Sequence, residues 1–301
     1  MAKILVIGAS GWIGGRIVGE LLTRKYDVRC LARDPSKISR WAEKGCEVVQ
    51  GDVADQASLQ RATEGIGAVF VAIHTMSPQP GSTPDQRFMA VELNGLENIV
   101  SACKVNDTRR MIYVTSLGIA SDAASEWLRE RWRAEQFLLK SSLDVTVIRP
   151  GMIVGAGGRG FEALVGQAKK STAIFLGGNQ KMRTIAVDDL IYYIIGVLNE
   201  PQTFNQCYDV GNDDVLTNSE MLDAAAETIN RKHPIKIKLP IGLLGLIAPI
   251  AERMGGIPKG SFKGFLDSLK ADAGGDPWPI RAILPHKLMS YRQAVKHAWD
   301  L

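Results

Sequence analysis

Residues 1–15 read Met1-Ala2-Lys3-Ile4-Leu5-Val6-Ile7-Gly8-Ala9-Ser10-Gly11-Trp12-Ile13-Gly14-Gly15, and this stretch decides the fold. The apolar run from Ile4 to Ile7 stops at Gly8. Glycines then recur at every third position, Gly8, Gly11 and Gly14. Apolar residues at Ile13, Ile17, Val18, Leu21 and Leu22 follow with helical spacing. The pattern is strand, tight turn, helix. Glycine supplies the positive φ such a turn needs and lets the backbone approach a ligand closely. The helix opens with unsatisfied N–H groups at the positive end of its dipole, which suits a phosphate. The spacing is GxxGxxG rather than the GxGxxG of the common dinucleotide fingerprint, and three glycines in a β-turn-α unit can serve packing alone. Its place directly after a short apolar strand favours phosphate binding, with Gly8, Ser10, Gly11, Trp12 and Ile13 as contacts.

Outward from this turn the alternation continues. Val28 to Leu31, Glu47 to Gln50, Ala68 to Ile73, Met111 to Thr115 and Val145 to Ile148 read as strands. Helices are expected from about Ser36, over Gln56 to Thr63, Asp85 to Val105 and Glu126 to Lys140. Alternating strands and helices imply right-handed crossovers and a doubly wound parallel sheet of Rossmann type over residues 1–151. Beyond Arg149-Pro150-Gly151 the alternation weakens. Thr184 to Leu190 leads into an apolar helix reaching Leu198, Gln206 to Val210 and Ile235 to Leu239 read as strands, and further helices are expected near 161–170, 218–230, 262–270 and 290–299. No linker separates the halves. Residues 152–301 are therefore expected as a smaller α+β lobe packed on the sheet, on its substrate side, and not as an independent domain.

Composition narrows the function. The 301 residues are 46% apolar, and 36 basic residues nearly balance 32 acidic ones, so the charge argues against nucleic acid as a partner. The four cysteines are far apart and form no CxxC or Cys/His cluster, which points to reduced thiols in a cytoplasmic protein and to no metal site. The first strand begins at residue 3, leaving no room for a signal peptide. The longest apolar patch, Ile241 to Ala251, is about half of what a membrane span requires. It reads as a short surface helix or a pocket wall.

In a doubly wound sheet the ligand lies beyond the carboxyl ends of the strands, so the residues that follow each strand carry the chemistry. The second strand ends Cys30-Leu31-Ala32-Arg33, with no acid before the arginine and Lys37 one turn further on. A ribose 2′-OH is usually met by an acid here and a 2′-phosphate by arginine, so NADP(H) is expected over NAD(H), although Asp34 follows directly and a solvated arginine would read the same way. Asp52, in Gly51-Asp52-Val53, is either a helix cap or an acceptor for an adenine amino group. His74 closes the fourth strand, equally a structural hydrogen-bonder and a functional group at the ligand edge. Thr115-Ser116 offers hydroxyls beside the place a nicotinamide would take. Gly-x-Ser-x-Gly is absent, which argues against a serine hydrolase.

Taken together, GASGWIG, the ARDP after the second strand, the GDV after the third, VELNGLENIV, YVTSLG, LDVTVIRPG and TIAVDDL resemble the short-chain dehydrogenase/reductase superfamily in its atypical, NmrA-like branch of NAD(P)-binding proteins. The H-T-M after the fourth strand, SEWLRER, GFEAL and the P-x-K-L-M-S-Y-R-Q-A-V tail are similar to the bacterial YbjT-like proteins of that branch. The resemblance implies a Rossmann fold along nearly the whole chain. It also implies a catalytic Tyr-x-x-x-Lys pair on the helix after the fifth strand. Aligned through Ala134-Glu135, those positions are Trp127 and Arg131. Indole has no proton to give at neutral pH, and a guanidinium can hold ribose hydroxyls but cannot act as an acid. Ser116 matches the superfamily's serine and Asn94 its helix asparagine.

Two functions follow as expectations. The first is a reductase passing hydride from NADPH to an apolar electrophile that needs little acid help, such as a quinone, enone or imine, with Ser116, His74 or water giving the proton and Arg131 in support. The second is a protein that binds NADP(H) without turnover, as a redox sensor, regulator or assembly factor. Epimerisation of a sugar nucleotide is disfavoured by the missing tyrosine. A monomer or homodimer is expected, and Phe262, Phe265, Trp278 and the 241–251 patch suggest a greasy pocket, though core packing explains them equally well.

Overall fold

A computed structural model describes residues 3–73, 88–176, 179–239, 241–254 and 259–300. In chain order, β1 (Lys3–Ile7), α1 (Trp12–Thr23), β2 (Val28–Ala32), α2 (Ser39–Ala42), β3 (Glu47–Gln50), α3 (Gln56–Thr63), β4 (Ile66–Val71), α4 (Phe88–Val105), β5 (Arg110–Val114), α5 (Glu126–Leu139) and β6 (Asp144–Pro150) form the first half. The second contains β7 (Met152–Val154), α6 (Arg159–Ala168), β8 (Thr172–Leu176), β9 (Lys181–Ala186), α7 (Val187–Gly196), β10 (Gln206–Val210) and β11 (Val215–Thr217). It continues with α8 (Asn218–Thr228), β12 (Ile235–Leu239), α9 (Ile241–Met254), α10 (Ser261–Ser268), α11 (Trp278–Ile283) and α12 (Tyr291–Asp300).

The main sheet has seven strands in the order β10-β6-β5-β4-β1-β2-β3, every neighbouring pair parallel. The chain starts in the middle at β1 and winds outward both ways, which puts the topological switch between β1 and β4. Successive residues of β1 serve opposite layers. Ile4 and Val6 join the apolar layer under α1 and α7, whereas Leu5 and Ile7 join the layer packed with α3, α4 and α5. A strand buried on both faces reads as a continuous apolar run, and four of the five residues of β1 are buried.

The second half contributes to the main sheet as well as forming two small sheets of its own. Strand β10 returns to pair with β6, so the main sheet takes its seventh strand from residues 206–210. Around it stand a three-stranded sheet, β11-β9-β7, and a two-stranded one, β12-β8. A third apolar cluster, including Phe161, Met221, Leu222, Tyr291 and Val295, joins α6, α8 and α12. The segment from Thr184 leads into a helix as expected: residues 181–186 form β9 and α7 starts at Val187. No helix among the described residues is long and apolar enough to cross a membrane.

Candidate functional site

The three glycines of the opening turn do different work. Gly8 has φ +96°, and a Cβ there would lie 2.4 Å from the Ala72 carbonyl oxygen; a Cβ on Gly14 would lie 2.1 Å from the Gly8 oxygen. Both positions are fixed by close backbone packing. Gly11 is exposed, and a Cβ there would meet only the Gly8 oxygen at 3.2 Å. It N-caps α1 with no side-chain cap, and the first turn carries no acid. The helix start is thus open toward solvent, with exposed Ser10 beside it, and this cradle fits the pyrophosphate of a dinucleotide. Ile13 packs back onto the core.

The Trp12 side chain does not face that cradle. Its Nε1 donates to the Ala156 carbonyl at 2.8 Å, and its ring lies where Cβ atoms on Gly157 and Gly158 would come within 2.8 and 2.6 Å. The indole clasps the loop between β7 and α6, leaving Trp12 only its backbone N–H for a phosphate. Neighbouring Arg16 adds an ion pair to Asp188 at 3.0 Å.

At the ends of β2 and β3, Arg33 and Asp52 face each other with 4.0 Å between Nε and Oδ2. Asp34 is turned away: its carboxylate accepts from the Ser36 backbone N–H and hydroxyl, and these two bonds hold its pKa below the usual range. This leaves Arg33 and exposed Lys37 as the basic side chains at this strand end. Asp52 caps its own turn through the Ala54 N–H at 2.9 Å, while the helix cap is Asp55, which accepts from Ala57. Of the two readings of Asp52, helix capping is therefore withdrawn. Val53 packs on Gly95 of α4, and its carbonyl accepts from Asn98 at 2.9 Å. Asn94, one turn earlier, is exposed. His74 lies outside the described residues.

Arg131 does not reach outward to a ribose. Its guanidinium is buried and donates to Glu92 Oε2 at 3.2 Å and to Thr115 Oγ1 at 3.1 Å. The Tyr113 phenol donates to the other Glu92 oxygen, also in the core. Burial works to lower the Arg131 pKa, but the Glu92 carboxylate, and less strongly Glu135, keep it above its ordinary value, so the cation persists. Burial, followed by Glu92, pushes the Tyr113 phenol well up. Next to this network Arg149 pairs with buried Glu135, and burial raises the Glu135 carboxyl despite that partner. Nothing in the sequence pattern distinguished Glu92 or Glu135 from surface acids on their helices.

Ser116 and Trp127 line one cavity of about 230 Å³. Its floor comes from 116–118 and 150–152, the ends of β5 and β6. Its far wall is Met182 with Phe265, Leu269 and Ala273. The Ser116 Oγ and Trp127 Nε1 are both buried without a hydrogen-bond partner among the described residues. The Trp127 ring is also stacked under Arg131, 5.0 Å from ring centroid to guanidinium. Of the aromatic residues expected to make a greasy pocket, Phe265 does so. Trp278 does not: it is 67% exposed, against Arg281.

A doubly wound parallel sheet whose first turn leaves a helix start open to a pyrophosphate defines a Rossmann-type nucleotide-binding fold. Residues 8–201 match the NAD(P)H-binding family, and the chain belongs to it. It is 22% identical to the photosystem II assembly factor Ycf39 of Trieres chinensis over 82% of this chain and 75% of that protein. It is 25% identical to an NAD(P)H azoreductase of Xenophilus azovorans, over 76% of this chain and 74% of that one. Among solved structures, the NADPH-dependent quinone oxidoreductase QOR2 of Escherichia coli in complex with NADPH shares the fold. That match has a TM-score of 0.73 and 18% identity, and covers 98% of this chain and 99% of the other. These likenesses agree with the resemblance to the atypical, NmrA-like branch.

Proposed function

We propose that the protein is an NADP(H)-dependent reductase acting on an apolar electrophile, a quinone, enone or imine, without a Tyr-x-x-x-Lys pair. The cavity carries this reading. It opens at the ends of β5 and β6, its lining is mainly apolar, and no tyrosine lines it among the described residues. The phenol at hand, Tyr113, is committed to Glu92 in the core. Gly8, Ser10, Gly11 and the backbone of Trp12 and Ile13 would hold the pyrophosphate, Arg33 and Lys37 a 2′-phosphate, Asp52 and Val53 the adenine, and Thr115 and His74 the nicotinamide side. When bound, the cofactor supplies a hydride. Ser116 is the group that can then serve the substrate: its unpartnered hydroxyl can donate to a carbonyl or imine developing negative charge, with water restoring the proton. Arg131 holds Thr115 from behind and acts as a positioning residue. Residues 152–301 supply the substrate side, and the protein works in the cytoplasm.

One observation favours the second reading, binding without turnover: the cation that would help ribose binding is engaged with Glu92. The likeness to an assembly factor points the same way. NADPH oxidation against a panel of quinones, enones and imines separates the two. Turnover on one class supports the reductase. No turnover on any of them, with tight NADPH binding by calorimetry, favours the sensor or assembly role.

A further inference from the structure

The apolar patch noted at 241–251 becomes α9, a helix with one apolar face exposed. At 100° per residue, Leu244, Gly245, Ala248 and Glu252 share one side, and the last two are buried. Glu252 accepts from the backbone N–H groups of Gly260, Phe262 and Lys263, which fixes that side against α10. On the opposite side Leu246, Ile247, Ile250 and Met254 are 77, 49, 62 and 85% exposed. Four large apolar side chains in one arc of one helix exceed the scattered exposure of an ordinary surface.

The charge around this face is one-sided. From Arg231 to Lys263 the chain carries seven Lys or Arg and a single acid, Glu252, which is buried and used as a cap. The stretch has a net +6, leaving 29 basic against 31 acidic residues elsewhere. Lys236 pairs with Asp223 and Lys263 with Asp267, while Arg231, Lys232, Lys238, Arg253 and Lys259 are exposed. On α9 itself, Arg253 lies at the border of the apolar arc.

We propose that this face docks on an anionic lipid surface. Helix α9 lies in the plane of the interface, with Leu246, Ile247, Ile250 and Met254 among the acyl chains and Arg253, Lys259 and their neighbours at the headgroup phosphates. A second copy fits less well, since a two-fold contact through α9 would bring two +6 segments together. The inference stands on this surface and not on the proposed chemistry. It does gain a purpose from that chemistry: α9 packs on α10, which supplies Phe265 and Ser268 to the cavity, so an apolar substrate dissolved in a bilayer would lie close to its site.

The test is co-sedimentation of the full chain, without cofactor, with vesicles of phosphatidylcholine alone or mixed with phosphatidylglycerol. Binding is expected to the mixed vesicles only, and to fall as salt is raised. Leu246→Glu with Ile250→Glu should abolish it, and Arg253→Ala should weaken it about fivefold, the worth of one interfacial cation. Far-UV circular dichroism and NADPH titration check that these surface variants stay folded. Equal binding to both vesicle types, binding untouched by the double variant, or no binding with a concentration-dependent dimer that the double variant dissolves, would overturn the proposal. Turnover of a water-soluble quinone is measured separately. Vesicle binding by a protein that shows no such turnover still supports the surface and counts only against the reductase reading.

Discussion

Arg131 donates through Nη2 to Oε2 of Glu92 at 3.2 Å, with both side chains out of solvent. The pair joins α4 to α5 beneath β5, and its second bond holds Thr115 at the edge of the site. Removing one partner of a buried pair leaves the other charge uncompensated, at a cost of about 3–5 kcal/mol. Arg131→Ala should therefore lower stability by that order in urea unfolding. Its NADPH affinity, measured where the variant is folded, should change far less than its stability. A variant that keeps its stability and loses NADPH binding would return Arg131 to the ribose.

The glycine turn predicts two opposite outcomes from similar substitutions. Gly11→Val places a branched side chain at an exposed position in the phosphate cradle, so it should abolish NADPH binding in a protein that melts close to the parent. Gly14→Val puts its Cβ 2.1 Å from the Gly8 oxygen, a contact only backbone movement can relieve, so it should fail to fold or melt far lower. Calorimetry and thermal unfolding of the two variants check the division. Unchanged NADPH affinity in Gly11→Val would refute the cradle.

These positions also mark how far the sequence could be read. The main sheet was legible because its strands are apolar runs with Gly, Asp or Pro at their ends. Glu47–Gln50 and Gln56–Thr63 fall where the pattern puts them. Strands β7 and β9 were not legible. One has three residues, and the other, Lys181-Met-Arg-Thr-Ile-Ala186, mixes polar and apolar residues in the way a loop does. In the opening turn, local signals mark what the backbone needs, a positive φ at Gly8 and a close approach at Gly14. They failed where a long side chain chooses between two partners: Trp12 goes to Ala156 and Arg131 to Glu92, each set by a residue remote in sequence. Asp34 adjoins the basic strand end, and only its turn geometry shows it capping Ser36 instead of opposing Arg33.

Strands β1, β2 and β3 are tied by charge in a pH-dependent way. Lys3 donates to Glu47 at 2.7 Å, and Arg29 lies 2.9 Å from the same oxygen. The Lys3 bond, and after it Arg29, hold the Glu47 carboxyl below 4.5 against the opposing effect of partial burial. A carboxyl whose pKa is depressed on folding adds stability above its unfolded value, and that stability disappears as pH falls through the folded one. Glu47→Gln should thus melt lower than the parent at neutral pH, by a small amount because the pair is partly solvated. The gap should close as pH is taken below 4.5. A gap constant down to the acid limit would mean that Glu47 acts through packing alone.

The proposed preference for NADP(H) rests on Arg33, whose Nε stands 4.0 Å from Asp52 and whose strand-end neighbour Asp34 is occupied with Ser36. A 2′-phosphate at this edge would draw Arg33 into a charge-assisted bond, of the kind worth about 1.5–3 kcal/mol. A ribose 2′-OH has no charge to offer and gains little from it. Arg33→Ser should therefore raise the Kd for NADPH about tenfold or more and leave that for NADH within a factor of about two. The NADPH affinity of the parent should fall with rising salt, and that of the variant should fall less. Equal loss for both cofactors would mean that Arg33 serves the adenine side through Asp52. Equal affinity of the parent for NADH and NADPH would remove the preference altogether.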